Sequence, residues 1–225
     1  MATSKAYPTG GTYFDTMKRN FKNVPVDASK DNAIETSAFL EAAESLTGLF
    51  DVMGSVAFAP VKNDMVGNVK VPITTSWSLA AVCQARKVRD RQLAAPDQSE
   101  TLQALCLNEL KAKKHTATEG LLWLVRGLDF TAQSLRHNLS HPTEELSTSF
   151  RHAYQNTLKP HHSFLVKPIF SAAMSATPYR KDFYAKLAAE DNKEMLVREM
   201  GEWLEALERQ VGELKEFLGR KEAKW

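Results

Sequence analysis

Asp64 and Asn68 stand four residues apart, so on a helix they share one face. A carboxylate and an amide on one stripe offer acceptors and donors to a polyhydroxylated group. A cation one turn further on would extend the set. Lys87 takes that place, seven after Asp64, only if Val71–Arg86 is left out; in the chain as written the place belongs to Val71. Spacing alone favours the plainer reading, a solvated helix face with ion pairing. Trp123 falls opposite the main apolar stripe of its segment, beside Arg126 and on the same side as Phe130. His162 lies on the stripe of Val166, Ile169 and Ala173, where a histidine is more often a satisfied core residue than a ligand contact.

Other chemistries find little support. No GxSxG elbow, phosphate-binding GxxxxGK loop, GxGxxG turn or HExxH pair is present. His137 and His141 are four apart, but Pro142 follows directly and no third ligand is evident, so no metal is expected. Cys83 and Cys106 lie 23 apart without a basic neighbour to activate a thiolate. With 29 basic against 27 acidic residues the formal charge is +2, which implies no nucleic-acid partner and leaves room for mild attraction to anionic membranes. No run of apolar residues is long enough to span a bilayer, and the opening MATSKAYPTGG lacks the apolar core of a signal peptide, so a reduced, cytoplasmic protein is expected.

The elements that must position these residues are helical. His115–Leu139 is central: Thr116 and Glu119 form a capping-box pattern, and Leu121, Leu124, Val125, Leu128 and Leu135 recur at helical spacing. With Trp123 and Phe130 on the other side, this helix is expected to be enclosed on both sides, within the core or against a cavity. Before it, Phe39, Ala42, Leu46, Leu49, Phe50, Met53 and Val56 predict one amphipathic helix from about Thr36 to Pro60. Gln98–Lys113 reads as another, with Leu102, Leu105, Cys106 and Leu110 on one face. Pro142-Thr143-Glu144-Glu145 marks a helix start, that helix running to about Leu158, and Pro168 is expected to kink the segment that follows. Asn192–Lys221 is the longest helix, with Leu196, Met200, Trp203, Leu204, Leu207, Val211, Leu214 and Leu218 spaced for burial. Tyr13, Phe14 and Phe21 are placed to tie the amino-terminal segment to the core, behind a loose stretch at 1–12. The expected architecture is all-α, about eight helices in one domain over 1–225.

Val71–Arg86, VPITTSWSLAAVCQAR, does not fit. Pro72 and a β-branched run interrupt a helix that has just begun. Without those 16 residues, DMVGNVK joins KVRDRQLAAP and Met65, Val69 and Val88 fall back into helical period. The segment reads as an insertion foreign to the fold, such as an intron read in frame, or as a tolerated surface loop.

Taken together, ATEGLLWLVRGLDF, DMVGN, LKPHHSFLVKPIFSAAMSATPYRKDF and FLEAAESLTGLFDVMGSVAF resemble the glycolipid transfer protein family. The opening GGTYFDT and closing EAKW are similar to its fungal heterokaryon-incompatibility HET-C branch. The resemblance spans nearly the whole chain outside Val71–Arg86. It implies a two-layer all-helical sandwich enclosing an apolar lipid pocket, and transfer of glycosphingolipids between membranes without catalysis or cofactor. By motif, Asp64 then matches the residue that bonds both the sugar and the ceramide amide, Asn68 a sugar-bonding amide, and Lys87 the headgroup lysine if the insertion is spliced out. Trp123 matches the tryptophan that stacks on the first sugar, His162 the histidine that bonds the ceramide carbonyl, and Phe170 a pocket-lining ring. Phe164 stands where the family carries a membrane-docking tryptophan. An aromatic at 123, where phosphate-binding relatives carry a cation, favours sugar over phosphate. A carrier of this kind must enclose the chains, since each methylene in water costs ~0.8 kcal/mol. The resemblance further implies a monomer in transient contact with membranes. Two other readings stay open: a glycosphingolipid sensor in heterokaryon incompatibility, and a form that the insertion leaves unable to bind.

Overall fold

In the chain's computed structural model, residues 7, 10–53 and 77–225 are described, with only the backbone at 47, 51, 77–83 and 190. Asp64, Asn68 and the first part of Val71–Arg86 lie outside the described residues. The fold is all-α. Its α-helices are α1 (Thr36–Ser45), α2 (Thr47–Met53), α3 (Trp77–Ala94), α4 (Leu102–Lys111), α5 (Thr116–Ser140), α6 (Leu146–Asn156), α7 (Val166–Ser175), α8 (Arg180–Ala185) and α9 (Lys193–Gly219). A two-residue antiparallel pair, Val26–Asp27 with Ala33–Ile34, closes a turn ahead of α1.

α5 is the element around which the others pack. It lies against α3, α4, α6 and α9, and α3 in turn carries α1 and α2. Leu121, Leu124, Val125, Leu128 and Leu135 are buried as their spacing predicts, and Phe130 on the other side is buried too, so the helix is enclosed on both sides. The whole apolar stripe of α9 is buried as expected, and Tyr13, Phe14 and Phe21 join the same core. The Arg136 guanidinium donates from Nε (2.9 Å) and Nη2 (2.7 Å) to the Glu208 carboxylate, fixing α5 against α9.

Several local expectations are corrected. The capping box at Thr116 and Glu119 does not form: Thr116 is already helical, and the cap residue His115 makes no side-chain bond. The first amides of α5 are met from another helix, where the buried Glu109 carboxylate accepts from Ala117 N–H (2.9 Å) and Thr118 N–H (2.7 Å). A full negative charge at a helix amino terminus serves better there than a hydroxyl one residue away. The helix expected from Thr36 to Pro60 divides at Leu46 into α1 and α2, and its far end lies outside the described residues. At the division a Cβ on Gly48 would fall 2.7 Å from Tyr13 Oη, so the missing side chain admits the tyrosine. The helix expected from Pro142 begins only at Leu146 and ends at Asn156. Pro168 does not interrupt α7; it sits third in the helix, where its absent N–H would have had no intrahelical acceptor.

The part of Val71–Arg86 that is described, from Trp77, is helical and runs unbroken into Lys87–Ala94 as α3. Past Pro72 and the Ile-Thr-Thr run, the sequence SLAAVCQAR holds no helix breaker.

Candidate functional site

The site is built on the face of α5 opposite its main stripe. Gly120 lets α3 come close: a Cβ there would lie 3.0 Å from Lys87 Cβ and 3.1 Å from the Gln84 carbonyl oxygen. The stem of Lys87 therefore rests on α5 one turn before Trp123, and it does so with Val71–Arg86 in the chain. Gln84, one turn earlier on α3, holds a buried side-chain oxygen with no hydrogen-bond partner among the described residues.

Trp123 is half-buried. The Arg126 guanidinium sits over its ring, Cζ 4.7 Å from the centroid. The His162 imidazole lies near-parallel to the indole, centroids 6.2 Å apart and planes 16° from each other, and His161 meets the indole edge-on at 6.5 Å. From there a run of rings leads inward. His162 touches Phe170 at 4.3 Å, Phe170 stacks on Tyr154 at 5.5 Å, and Tyr154 meets Phe130 edge-to-face at 6.4 Å. Tyr154 and Phe130 are buried, while Phe170 packs on the core only in part.

His162 does not ride on the apolar stripe of α7, as its spacing suggested. It stands in extended backbone after the 3-10 turn Lys159–His161, four residues ahead of the helix. Sequence period cannot place a residue beyond the end of its helix. The ring nevertheless reaches Phe170 of α7, and its Nδ1 lies 3.1 Å from Tyr154 Oη. Burial, and then the nearby His161, Lys167 and Arg126, push the His162 pKa down to about 4, so the ring is neutral at ordinary pH. His161 is lowered as well, by burial and then by Arg126.

Outward from this cluster the chain turns to solvent. Phe164 and Leu165 are 78% and 65% exposed, between His162 and the start of α7. Lys159 and Lys167 flank them in sequence. An apolar pair rimmed by cations is suited to an interface rather than to bulk water.

The geometry thus brings together Trp123, His162 and Phe170, rests the stem of Lys87 on α5 one turn before Trp123, and leaves Phe164 outward. Sequence reasoning missed two members. Tyr154 sits eight residues before His162, on the helix expected from Pro142 to about Leu158, and no spacing within that helix points to the histidine. Gln84 fell within the stretch set aside as foreign. The remaining candidates for chemistry make contacts of their own. His137 stacks on His141 (4.1 Å) and on His152 (4.4 Å), with His137 Nε2 at 3.0 Å from Glu144 and His141 Nδ1 at 2.8 Å from the His137 carbonyl. Cys106 is buried, and that burial pushes its thiol up to about 12, far from a thiolate. Among the described residues no group of three or more His, Cys, Asp or Glu could hold a metal ion, and no helix is long and apolar enough to cross a membrane.

Known proteins show the same arrangement of chain. A family model described as glycolipid transfer protein (GLTP) matches residues 34–189, from the strand before α1 to four residues past α8. A glycolipid transfer protein of Aureobasidium melanogenum is 60% identical over 220 residues, covering 98% of this chain and 99% of that one. The crystal structure of HET-C2, a fungal glycolipid transfer protein, is similar with a TM-score of 0.84 at 54% identity, over 95% of this chain and 100% of that chain. A structure showing how FAPP2 selects simple glycosphingolipids using the GLTP fold gives 0.76 at 27% identity, over 92% and 95%. With an all-α fold wrapped around α5, a half-open indole beside a neutral imidazole, and kinship along almost its full length, this chain belongs to the glycolipid transfer protein family.

Proposed function

We propose that the protein carries single glycosphingolipids between membranes and catalyses no reaction. The observation that carries this reading is Trp123: a large aromatic face left half-open beside His162, at the outer end of a run of rings that leads into the core. A flat apolar face suits the C–H side of a sugar ring, and hydrogen-bonding groups around it suit the hydroxyls. In this reading Trp123 stacks on the first sugar and Lys87 bonds the headgroup. Asp64 and Asn68 supply a carboxylate and an amide to the sugar, and Asp64 with His162 holds the ceramide amide. Phe170 lines the path of the chains, and Phe164 enters the membrane surface during extraction. A monomer of one domain, working from the cytoplasm in transient contact with bilayers, is enough for such a cycle.

The insertion reading has a corollary in the sequence. Were Val71–Arg86 absent, Asn68 would stand three residues before Lys87, the place that Gln84 holds, and Asp64 seven before, the place that Ala80 holds. The chain as written then keeps an amide residue three before Lys87 and has alanine where the shortened chain would have an aspartate. Transfer of glucosylceramide between vesicles, compared for the chain with and without Val71–Arg86, tests both levels. Transfer that is faster in the shortened chain supports the proposed roles of Asp64 and Asn68. No transfer by either chain, both being folded by circular dichroism, would refute the carrier function itself.

A further inference from the structure

A neutral imidazole has one hydrogen and one lone pair on its two nitrogens, and the partner of one nitrogen decides what the other can offer. Nδ1 of His162 has a fixed partner, the Tyr154 hydroxyl at 3.1 Å. Nε2 makes no hydrogen bond among the described residues. The direction of the first bond follows from Tyr154. That residue is buried in α6, its ring stacked on Phe170 at 5.5 Å and set edge-to-face on Phe130. Among the described residues its hydroxyl meets only the imidazole. If the phenol accepted from an Nδ1–H, its own hydrogen would be buried without an acceptor, an arrangement that proteins rarely keep. Donation from Tyr154 pairs the phenol hydrogen with the Nδ1 lone pair and puts the ring hydrogen at Nε2, free for an acceptor from outside the described residues. Burial raises the Tyr154 pKa, so the phenol keeps its hydrogen. Burial first, and then His161 and the cations Lys167 and Arg126, oppose a second proton on His162, whose pKa of about 4 reflects that setting.

We propose that Tyr154 is a positioning residue that holds His162 in the Nε2–H form, making it a donor to the lipid's amide carbonyl and a poor partner for an N–H or ammonium group in the same place. This rests on the reading of His162 as the residue that meets the ceramide amide. Tyr154 touches no lipid atom in this scheme; it acts through the imidazole. It thereby sets specificity for N-acylated lipids, because the opposite tautomer would turn a lone pair toward the carbonyl oxygen and repel it.

Two measurements test the assignment. Ring-nitrogen NMR of His162 in the wild-type protein needs no variant, and it should show Nδ1 unprotonated and Nε2 protonated at neutral pH. Binding of glucosylceramide and of glucosylsphingosine, which shares the sugar but lacks the acyl carbonyl, is then compared for wild type and Tyr154→Phe. The variant should lose about fivefold to tenfold in affinity for glucosylceramide, the effect of one hydrogen bond, and change less than about twofold for glucosylsphingosine. A protonated Nδ1 in the wild type overturns the proposal, as does equal loss for both lipids, which would mark Tyr154 as packing alone. Wild-type protein that binds neither lipid overturns the carrier reading and the lipid half of this proposal, while the ring shifts still decide the tautomer.

Discussion

Trp203 and Trp123 are the same residue type in opposite circumstances. Trp203, on α9, is 0% exposed and closed in by hydrocarbon, its ring 5.6 Å from Phe14 and 6.0 Å from Phe21. Trp123, on α5, is half-open, and its neighbours are a guanidinium and two imidazoles. A sealed ring contributes its whole transfer free energy to the fold. A half-open ring with polar neighbours forgoes part of that energy, and His162 beside it keeps an Nε2 that no described protein group satisfies. The first cluster stabilises the molecule; in the proposed reading the second receives the lipid headgroup.

The sharpest way to break this contrast is one truncation made at both places. Trp203→Ala should cost about 3–5 kcal/mol of stability, read as a large fall in Tm. Trp123→Ala should cost only about 1 kcal/mol, with helical content retained by circular dichroism. Its effect should appear instead as a loss of at least ~10-fold in glucosylceramide transfer. Equal losses of stability at the two positions, or full transfer by Trp123→Ala, would erase the distinction. A smaller effect is expected one step outward: Phe164→Asp should slow vesicle-to-vesicle transfer by roughly tenfold or less while leaving binding of glucosylceramide in detergent unchanged. Loss of that binding would place Phe164 with the interior rather than at the membrane.

The mildest effect comes through pH. Folding lowers the His162 pKa from 6.5 to about 4. Above 6.5 both folded and unfolded rings are neutral, and His162 contributes no pH dependence. As pH falls from 6.5 toward 4, the unfolded chain binds a proton that the folded ring refuses, so stability is lost across that window. Replacing His162 by Gln should flatten the decline in Tm between about pH 7 and about pH 4.5. An unchanged slope would mean that the ring titrates normally and is less enclosed than its neighbours imply.

Legibility differed by element for a physical reason. The buried stripes of α5 and α9 could be read directly, because a helix repeats its face every 3.6 residues and a core requires an apolar one. The rings at 13, 14 and 21 could be read as anchors for the same reason of burial. Helix ends could not. Thr116 and Glu119 had the right spacing for a cap, yet Glu109 of α4 supplies the acceptor, and no local pattern announces a carboxylate arriving from another helix. His162 was singled out and given the wrong setting: its neighbours in space are correct in kind, but it reaches them from a loop and not from a helix face. Phe170 and Trp123 stood out by motif, and the structure brings both to His162.

By itself, then, the chain's order of apolar and polar residues determined that it is helical, which faces are buried, and which large or polar side chains fall outside those faces. Only the tertiary structure decided which of those exceptions share one place. The stem of Lys87 rests beside the turn before Trp123 because Gly120 has no Cβ, and Tyr154 meets Nδ1 of His162 while Nε2 has no partner among the described residues. Periodicity is a property of one helix and can be counted along it. The partner of a hydrogen bond depends on how separate segments pack, and no spacing within a segment encodes that.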